Sequence, residues 1–239
     1  MPRLGLYNIK SIFRGLFWYF HRIFLKVMIY KSTPYTPVGN LKQPMAGREE
    51  EAFKIRWEVV SKVIDDNDVK NLIDIGCAEG FFVRKAYIDK HIFALGLDID
   101  QKRIRIGQAY ADINQEKGYG FVCKNVNPDT LCLLPKFDVV ICFSVLHHII
   151  ALNGIGEGHR FLKSLINITR KCLIFDMGSP REKSHDWATK LTFLNDDIPG
   201  KTKELLESAG FINVKYVADT YGHNNDEKRP LFICHPPKN

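Results

Sequence analysis

The chain has 239 residues, a length that suggests one domain with an appendage or two very small domains. Its composition, with 45% hydrophobic and 26% charged residues and many aromatic ones, excludes wholesale disorder, a collagen-like chain and a multi-span membrane protein. The net charge is +7, but residues 1–48 contain eight Lys and Arg and no acid, so residues 49–239 carry −1 and a generally basic nucleic-acid-binding surface is not expected there.

The first predicted element is a helix over residues 9–29. Its apolar residues recur at steps of three and four, which is typical of one helix face, whereas Leu25 falls nearer the polar side. Arg14, Arg22 and Lys26 interrupt the apolar run and argue against a spanning helix or a secretory signal peptide. Three readings stay open: a helix lying on an anionic membrane, a helix packed on its own domain or on a second subunit, and a targeting segment. The apolar face consists of Ile9, Ile12, Phe13, Leu16, Phe20, Ile23, Phe24 and Val27.

Composition divides the chain into three parts. We expect a basic amphipathic helix at 1–31, a linker or arm containing proline and glycine at 32–48, and a folded domain at 49–239. In that domain helices are predicted over 49–64, 80–89, 101–111, 158–169 and 201–210. Strands are predicted over 71–75, 92–98, 121–124, 137–143, 172–176, 211–217 and 231–235.

The alternation of strands and helices predicts an α/β fold. The strands are apolar runs without a period of two, which is typical of parallel strands buried on both faces. Ligands of such sheets bind beyond the carboxyl ends of the strands, near the point where the strand order reverses. The loops that follow the predicted strands are therefore the places to search for a site.

The loop after the first strand of that domain begins with Asp74 and contains two glycines. Gly76 permits a tight turn and a close ligand approach, and Gly80 opens a helix whose N–H groups favour an anion. Asp98 ends the second strand, where an acid can bind both hydroxyls of an adenosine ribose. The spacing differs from the GxGxxG and GxxxxGK[ST] motifs. A glycine-poor loop led by an acid suits a cofactor with a cationic amine and no pyrophosphate, and S-adenosylmethionine has these properties.

The segments Asp74–Gly80, Asp98 and FDVVICFSVLHHI (137–149) resemble class I S-adenosylmethionine-dependent methyltransferases, over about residues 50–239. The resemblance implies a Rossmann-like, seven-stranded, mostly parallel sheet with an antiparallel last strand and helices on both faces. It also implies S-adenosylmethionine as the cofactor. The contacts it implies are Asp74 with the amine, Gly76, Cys77, Ala78, Glu79 and Gly80 around the methionine part, Asp98 with the ribose, Ile99, Asn125 and Val126 around the adenine, and Ser144 to His147 beside the methyl group.

Five further motifs stand in the chain: YTP at 35–37, the Arg56–Trp57 pair, SVLHH, FDMG after the fifth strand and KRPLF at 228–232. Together they resemble bacterial methyltransferases of lipopolysaccharide and exopolysaccharide gene clusters. Relatives of that group, and RNA methylphosphate capping enzymes, methylate a terminal phosphate. The resemblance implies that Tyr35 and Arg56 reach the cofactor, Arg56 through the cofactor's carboxylate, for which a guanidinium fork is well matched. Alternatively, Arg56 is an ordinary exposed residue of a surface helix.

Two kinds of methyl acceptor stay open. A hydroxyl must lose a proton, so His147 is the candidate base and Asp176, at the end of the fifth strand, the second. A phosphate is already an anion and needs groups that bind it. The structural alternative is that His147 and His148 bond loop carbonyls.

These observations predict an enzyme of polysaccharide biosynthesis that methylates a hydroxyl or terminal phosphate of a glycan or lipid-linked saccharide at a membrane surface. The alternatives are a methyltransferase for RNA or a small diffusible acceptor and a non-catalytic methyltransferase-like subunit. The six cysteines form no CxxC pair and lie mostly in apolar runs, so we expect free thiols in a reducing compartment and no metal site. We expect a cytoplasmic protein, peripheral at the inner face of the membrane.

Overall fold

A computed structural model describes residues 4–32, 34–38, 50–222 and 227–238, with side chains from residue 16 onward. The predicted arm at 32–48 therefore lies largely outside the described residues, as does the boundary that follows it. The strands are β1 (Asn71–Ile75), β2 (Phe93–Asp98), β3 (Tyr119–Cys123), β4 (Phe137–Phe143), β5 (Thr169–Asp176), β6 (Ile212–Tyr221) and β7 (Lys228–His235).

The helices include one long N-terminal helix and seven in the domain. They are α1 (Leu4–Tyr30), α2 (Glu50–Asp66), α3 (Phe81–Lys90), α4 (Gln101–Asn114), α5 (Pro128–Leu131), α6 (Leu146–Asn153), α7 (Ile155–Ile168) and α8 (Ile198–Ala209). Two 3₁₀ turns, Asp186–Lys190 and Thr192–Leu194, connect β5 to α8.

The strands form one seven-stranded sheet in the order β3-β2-β1-β4-β5-β7-β6. Strands β1 to β5 pair in parallel, and β7 lies antiparallel between β5 and β6. The predicted Rossmann-like sheet with an antiparallel last strand is thus confirmed. The strand order reverses between β1 and β4, so the loops that follow these two strands face one crevice.

Both faces of the sheet are covered, which explains the continuous apolar strand sequences. Neighbouring residues of a strand point to opposite faces. Leu72 accordingly packs with Phe53 of α2, on the face covered by α2, α3 and α4, whereas Ile73 packs with Phe161 of α7, on the face covered by α5, α6, α7 and α8. All six cysteines are free, and Cys123 and Cys132 are exposed.

Helix α1 docks on α4 by a narrow stripe. Leu25 and Ile29 are buried against Ile106 and Ala109, and Arg22 donates a hydrogen bond to a carbonyl of α4. The sequence pattern placed Leu25 nearer the polar side, so the docked stripe differs from the predicted apolar face. Most of that face points outward, as shown by Phe24, which is 65% exposed. Among the described residues, no helix is long and apolar enough to cross a membrane.

Candidate active site

A cavity of about 970 Å³ opens at the carboxyl ends of β1, β2 and β4. This volume is at the upper end of the range for small-molecule sites, so it has room for a cofactor and the reacting end of an acceptor. Twelve of the predicted site residues line it: Tyr35, Arg56, Asp74, Gly76, Cys77, Ala78, Asp98, Ile99, Asn125, Val126, Ser144 and His147. Three do not, namely Glu79, Gly80 and Asp176.

Gly76 allows the loops after β1 and β4 to touch. Its φ is +80°, in the left-handed region that favours glycine, and a Cβ there would overlap the side chain of Val145. The peptide N–H groups of Gly76 and Cys77 both donate to the carbonyl of Leu97, which fixes the loop against β2. Because Gly76 has no side chain, its backbone lines the cavity directly.

Asp98 ties the first loop to the second. Its carboxylate accepts hydrogen bonds from the N–H groups of Ala78, at 2.7 Å, and Asp100, at 2.8 Å. A carboxylate has about four acceptor positions, so capacity remains for two hydroxyls of a ligand. Asp98 can therefore both shape the site and bind a ribose.

Asp74 is a buried carboxyl group that suits a cationic partner. Its Oδ2 atom has no hydrogen-bond partner among the described residues. Burial, with a further contribution from the nearby charge of Asp98, raises the pKa of Asp74 to about 8. A bound ammonium group would stabilise the ionised form and lower that pKa again.

Arg56 is fully buried, so the alternative that it is an exposed surface residue is wrong. Its Nε donates to Asp176 at 2.7 Å and its Nη2 to the carbonyl of Tyr221 at 3.3 Å. Its Nη1 has no hydrogen-bond partner in the described part of the chain. This donor, in a residue that lines the cavity, suits the carboxylate of an amino-acid cofactor.

Asp176 lies behind the cavity wall and does not line it. Its side chain is fully buried between the guanidinium of Arg56 and the backbone N–H of Ser144, which donates at 2.9 Å. The expectation that Asp176 is a second base is therefore not supported by its position. Its contacts fix the orientations of Arg56 and of the loop after β4.

His147 lines the cavity from the first turn of α6 and is 1% exposed. Its Nδ1 accepts a hydrogen bond from the backbone N–H of Gly178 at 2.9 Å, and its ring lies 4.2 Å from that of Trp187. A neutral imidazole has one donor and one acceptor nitrogen, so the ring proton belongs on Nε2. In this tautomer the Nε2 atom of His147 is a hydrogen-bond donor.

Two cavity residues that sequence reasoning did not single out come from late in the chain. Arg229 on β7 is buried, pairs with Glu182 and donates to Ser144 Oγ at 2.7 Å. Trp187, in the first 3₁₀ turn, packs between the rings of His147 and His185. The KRPLF motif pointed to the segment of Arg229 without assigning that residue a role, and no local pattern marks Trp187.

Comparison with known proteins gives the family of the chain. A family model described as a methyltransferase domain matches residues 66–218. A curated relative, the O-antigen chain terminator bifunctional methyltransferase/kinase WbdD of Escherichia coli, is 29% identical over 164 residues, which are 68% of this chain and 22% of the relative. The chain thus spans about a fifth of the length of the curated relatives it matches.

Two solved structures have the same fold. The crystal structure of WbdD aligns with a TM-score of 0.72 at 22% identity, over 89% of this chain and 47% of that one. Magnesium protoporphyrin IX methyltransferase from Synechocystis PCC 6803, crystallised with bound S-adenosylmethionine, aligns with a TM-score of 0.55 at 18% identity, over 80% and 86%. At these identities the likeness supports the fold.

Proposed function

The chain belongs to the methyltransferase-domain family, and from that premise we propose that it methylates the terminal phosphate of a glycan or lipid-linked saccharide at a membrane surface. The cofactor is S-adenosylmethionine, which supplies an electrophilic methyl group on its sulfonium. A hydroxyl of the same kind of saccharide is the second candidate acceptor, and the two differ in whether the site needs a base.

The polar groups of the cavity fit the three polar parts of this cofactor. Asp74 would hold the ammonium group, Arg56 Nη1 the carboxylate, and Asp98 the ribose hydroxyls. Ile99, Asn125 and Val126 line the part of the cavity assigned to the adenine. Two of the buried side-chain atoms that lack a hydrogen-bond partner among the described residues, Asp74 Oδ2 and Arg56 Nη1, belong to an acidic and a basic group, which suits an ammonium and a carboxylate.

We prefer a phosphate over a hydroxyl as the methyl acceptor because of the hydrogen bond from the N–H of Gly178 to His147 Nδ1. A base at Nε2 would need a lone pair on that nitrogen, but the Gly178 bond places the proton there. Nε2–H can instead donate to an oxygen that is already negatively charged. Methyl transfer to such an oxygen needs orientation of donor and acceptor more than proton removal.

The saccharide part of the proposal is supported by the similarity to WbdD, whose name describes it as an O-antigen chain terminator. RNA is a weaker candidate because residues 49–239 carry a net charge of −1, whereas an extended nucleic-acid groove needs many phosphate-binding cations.

Methyl transfer to a phosphorylated saccharide tests this proposal. With radiolabelled S-adenosylmethionine, we expect label to enter a saccharide with a terminal phosphate monoester and to be absent when the same preparation is first treated with phosphatase. A mock-treated sample is the control. Equal labelling of both samples would favour the hydroxyl acceptor, and labelling of an RNA pool alone would contradict the saccharide.

The outer surface of α1 supports the membrane part of the proposal. Four consecutive aromatic side chains of this helix are 58–69% exposed, namely Phe17, Trp18, Tyr19 and Phe20. Because they follow one another in a helix, they point outward in different directions around its axis. No acid precedes Glu49 in a segment that contains eight lysines and arginines. Aromatic residues beside basic ones suit the interface of an anionic membrane.

Binding to vesicles should depend on this surface. We expect the protein to pellet with anionic phospholipid vesicles, less at high salt because the basic residues contribute about 1 kcal/mol each near such a surface. The F20S/F24S double variant should lose most of this binding, because it removes two side chains that are about two-thirds exposed. The matched control is Leu133→Ser, which removes an exposed apolar side chain outside α1. Salt-insensitive dimerisation without vesicle binding would contradict the membrane contact.

A further inference from the structure

Residues 34–38 lie across the edge of the cofactor cavity, and we call them the strap. Tyr35 and Thr36 line the cavity beside Asp98, Asp100 and Arg103. Thr36 is 5% exposed although it belongs to a segment far in sequence from the rest of the site. The strap therefore covers the side of the cavity that we assign to the ribose.

Glu79 fastens the strap to the cofactor loop. Its carboxylate accepts three hydrogen bonds, from the N–H of Tyr35 at 3.0 Å, the N–H of Thr36 at 2.9 Å and the hydroxyl of Thr36 at 3.0 Å. Hydrogen bonds to an ionised acceptor are stronger than neutral ones. Glu79 does not line the cavity, so these contacts explain its place in the loop better than a contact with the cofactor.

A second fastening contacts the ring of Tyr35. The guanidinium carbon of Arg103 stands 4.3 Å from the centre of the Tyr35 ring, and Arg103 Nε is bonded to Asp100. A cation over an aromatic face is attracted to it. The strap is thus held between the loop after β1 and the start of α4, the two elements that also hold the ribose side of the cavity.

The strap ends in the apolar cluster that docks α1. Val38 is 5% exposed and packs in one cluster with Leu25 and Ile29 of α1 and with Ile106 and Ala109 of α4. None of these five side chains lines the cavity. Undocking α1 would remove the contacts of Val38 with Leu25 and Ile29, so the stability of the strap depends on a helix whose described side chains do not line the cavity.

We propose that α1 and the strap act as one lid, which closes over the cofactor when α1 docks on α4 and which Glu79 latches. In the open state the Glu79 carboxylate is solvated, so opening leaves no charge buried without a partner. The outer face of α1 stays exposed in the closed state. A surface that binds this face would therefore affect the docking of α1 and, through the strap, the retention of the cofactor.

Release of bound cofactor tests the lid without any acceptor or membrane. Radiolabelled S-adenosylmethionine bound to the full chain is chased with excess unlabelled compound. We expect Glu79→Ala to release it about ten-fold faster or more, since charge-assisted hydrogen bonds are lost, and Glu79→Gln to show a smaller increase. Ile29→Ala, at a residue that does not line the cavity, should also release it several-fold faster or more, because the lost packing weakens the docked helix.

Val27→Ala is the matched control, since Val27 lies two residues from Ile29 on the same helix but is 45% exposed. It should release cofactor at the rate of the parent chain. Circular dichroism and thermal melting establish that each variant is folded. Unchanged release from folded Ile29→Ala would overturn the coupling of α1 to the strap, and unchanged release from Glu79→Ala would overturn the latch. The assay contains no acceptor and no vesicles, so its failure is distinct from that of the proposed acceptor or membrane contact.

Discussion

Replacing Asp98 with alanine should weaken the binding of S-adenosylhomocysteine by about 100-fold or more. Each hydrogen bond between a carboxylate and a ribose hydroxyl is worth about 1.5–3 kcal/mol, and two are expected. The variant also loses the acceptor of the Ala78 and Asp100 N–H groups, which hold the two loops in place. Isothermal titration calorimetry measures the affinity directly.

Two further variants separate binding from general damage. Asp98→Asn keeps one acceptor oxygen but loses the charge, so its affinity should fall between those of the parent chain and Asp98→Ala. Asp112→Ala removes an exposed carboxylate on α4, away from the cavity, and should bind like the parent chain. Equal affinity of Asp98→Ala and the parent chain would remove Asp98 from the cofactor site.

The bounds of the central strands could be predicted closely because their sequences fit only a buried strand. β1 and β4 occupy the predicted ranges 71–75 and 137–143, where apolar runs are bounded by polar or turn residues. Helix α6 was missed because its segment, Leu146–Asn153, is short and has no clear helical period, and its N-cap, Val145, makes no capping hydrogen bond. Only packing against α7 and the first 3₁₀ turn distinguishes this segment from a strand or a loop.

The site was predictable where its residues are local in sequence. Asp74, Gly76 and Asp98 lie at the carboxyl ends of β1 and β2, and a known motif spacing places them together at the sheet edge. Arg229 reaches the cavity only because β7 inserts between β5 and β6, a pairing that no local pattern encodes. The buried position of Asp176 has a similar origin, since it depends on the partners Arg56 and Ser144 from distant elements.

The docked face of α1 illustrates a further limit of periodicity. The sequence pattern correctly indicates a helix with a broad apolar face, but it does not say which residues find a partner. The body of the protein buries Leu25 and Ile29 and leaves Phe20 and Phe24 exposed. Periodicity alone does not divide the apolar residues of a helix into those that are buried and those that stay exposed.

Substitution of His147 separates its possible roles because its two ring nitrogens differ in environment. Asparagine places its amide near the position of Nδ1 and can accept from Gly178, whereas glutamine places its amide near the position of Nε2 and can donate into the site. If Nε2–H binds an acceptor phosphate, His147→Gln should retain more activity than His147→Asn. His147→Ala should lose about 10- to 100-fold in kcat/KM, the equivalent of one hydrogen bond to a charged group. Steady-state methyl transfer measures these rates.

The pH profile decides between donor and base. A terminal phosphate has its second ionisation near pH 6, so the rate should rise through about pH 6 in the parent chain and equally in His147→Ala, because the titrating group belongs to the substrate. A histidine base would give a similar rise in the parent chain, near its ordinary pKa of about 6.5, but that rise would vanish in His147→Ala and kcat would fall by about 10²–10⁴. Ala151→Ser, on α6 but outside the cavity lining, is the control for effects on that helix. Loss of the pH-dependent rise in His147→Ala would mean that the Gly178 hydrogen bond breaks during turnover and that the acceptor is a hydroxyl.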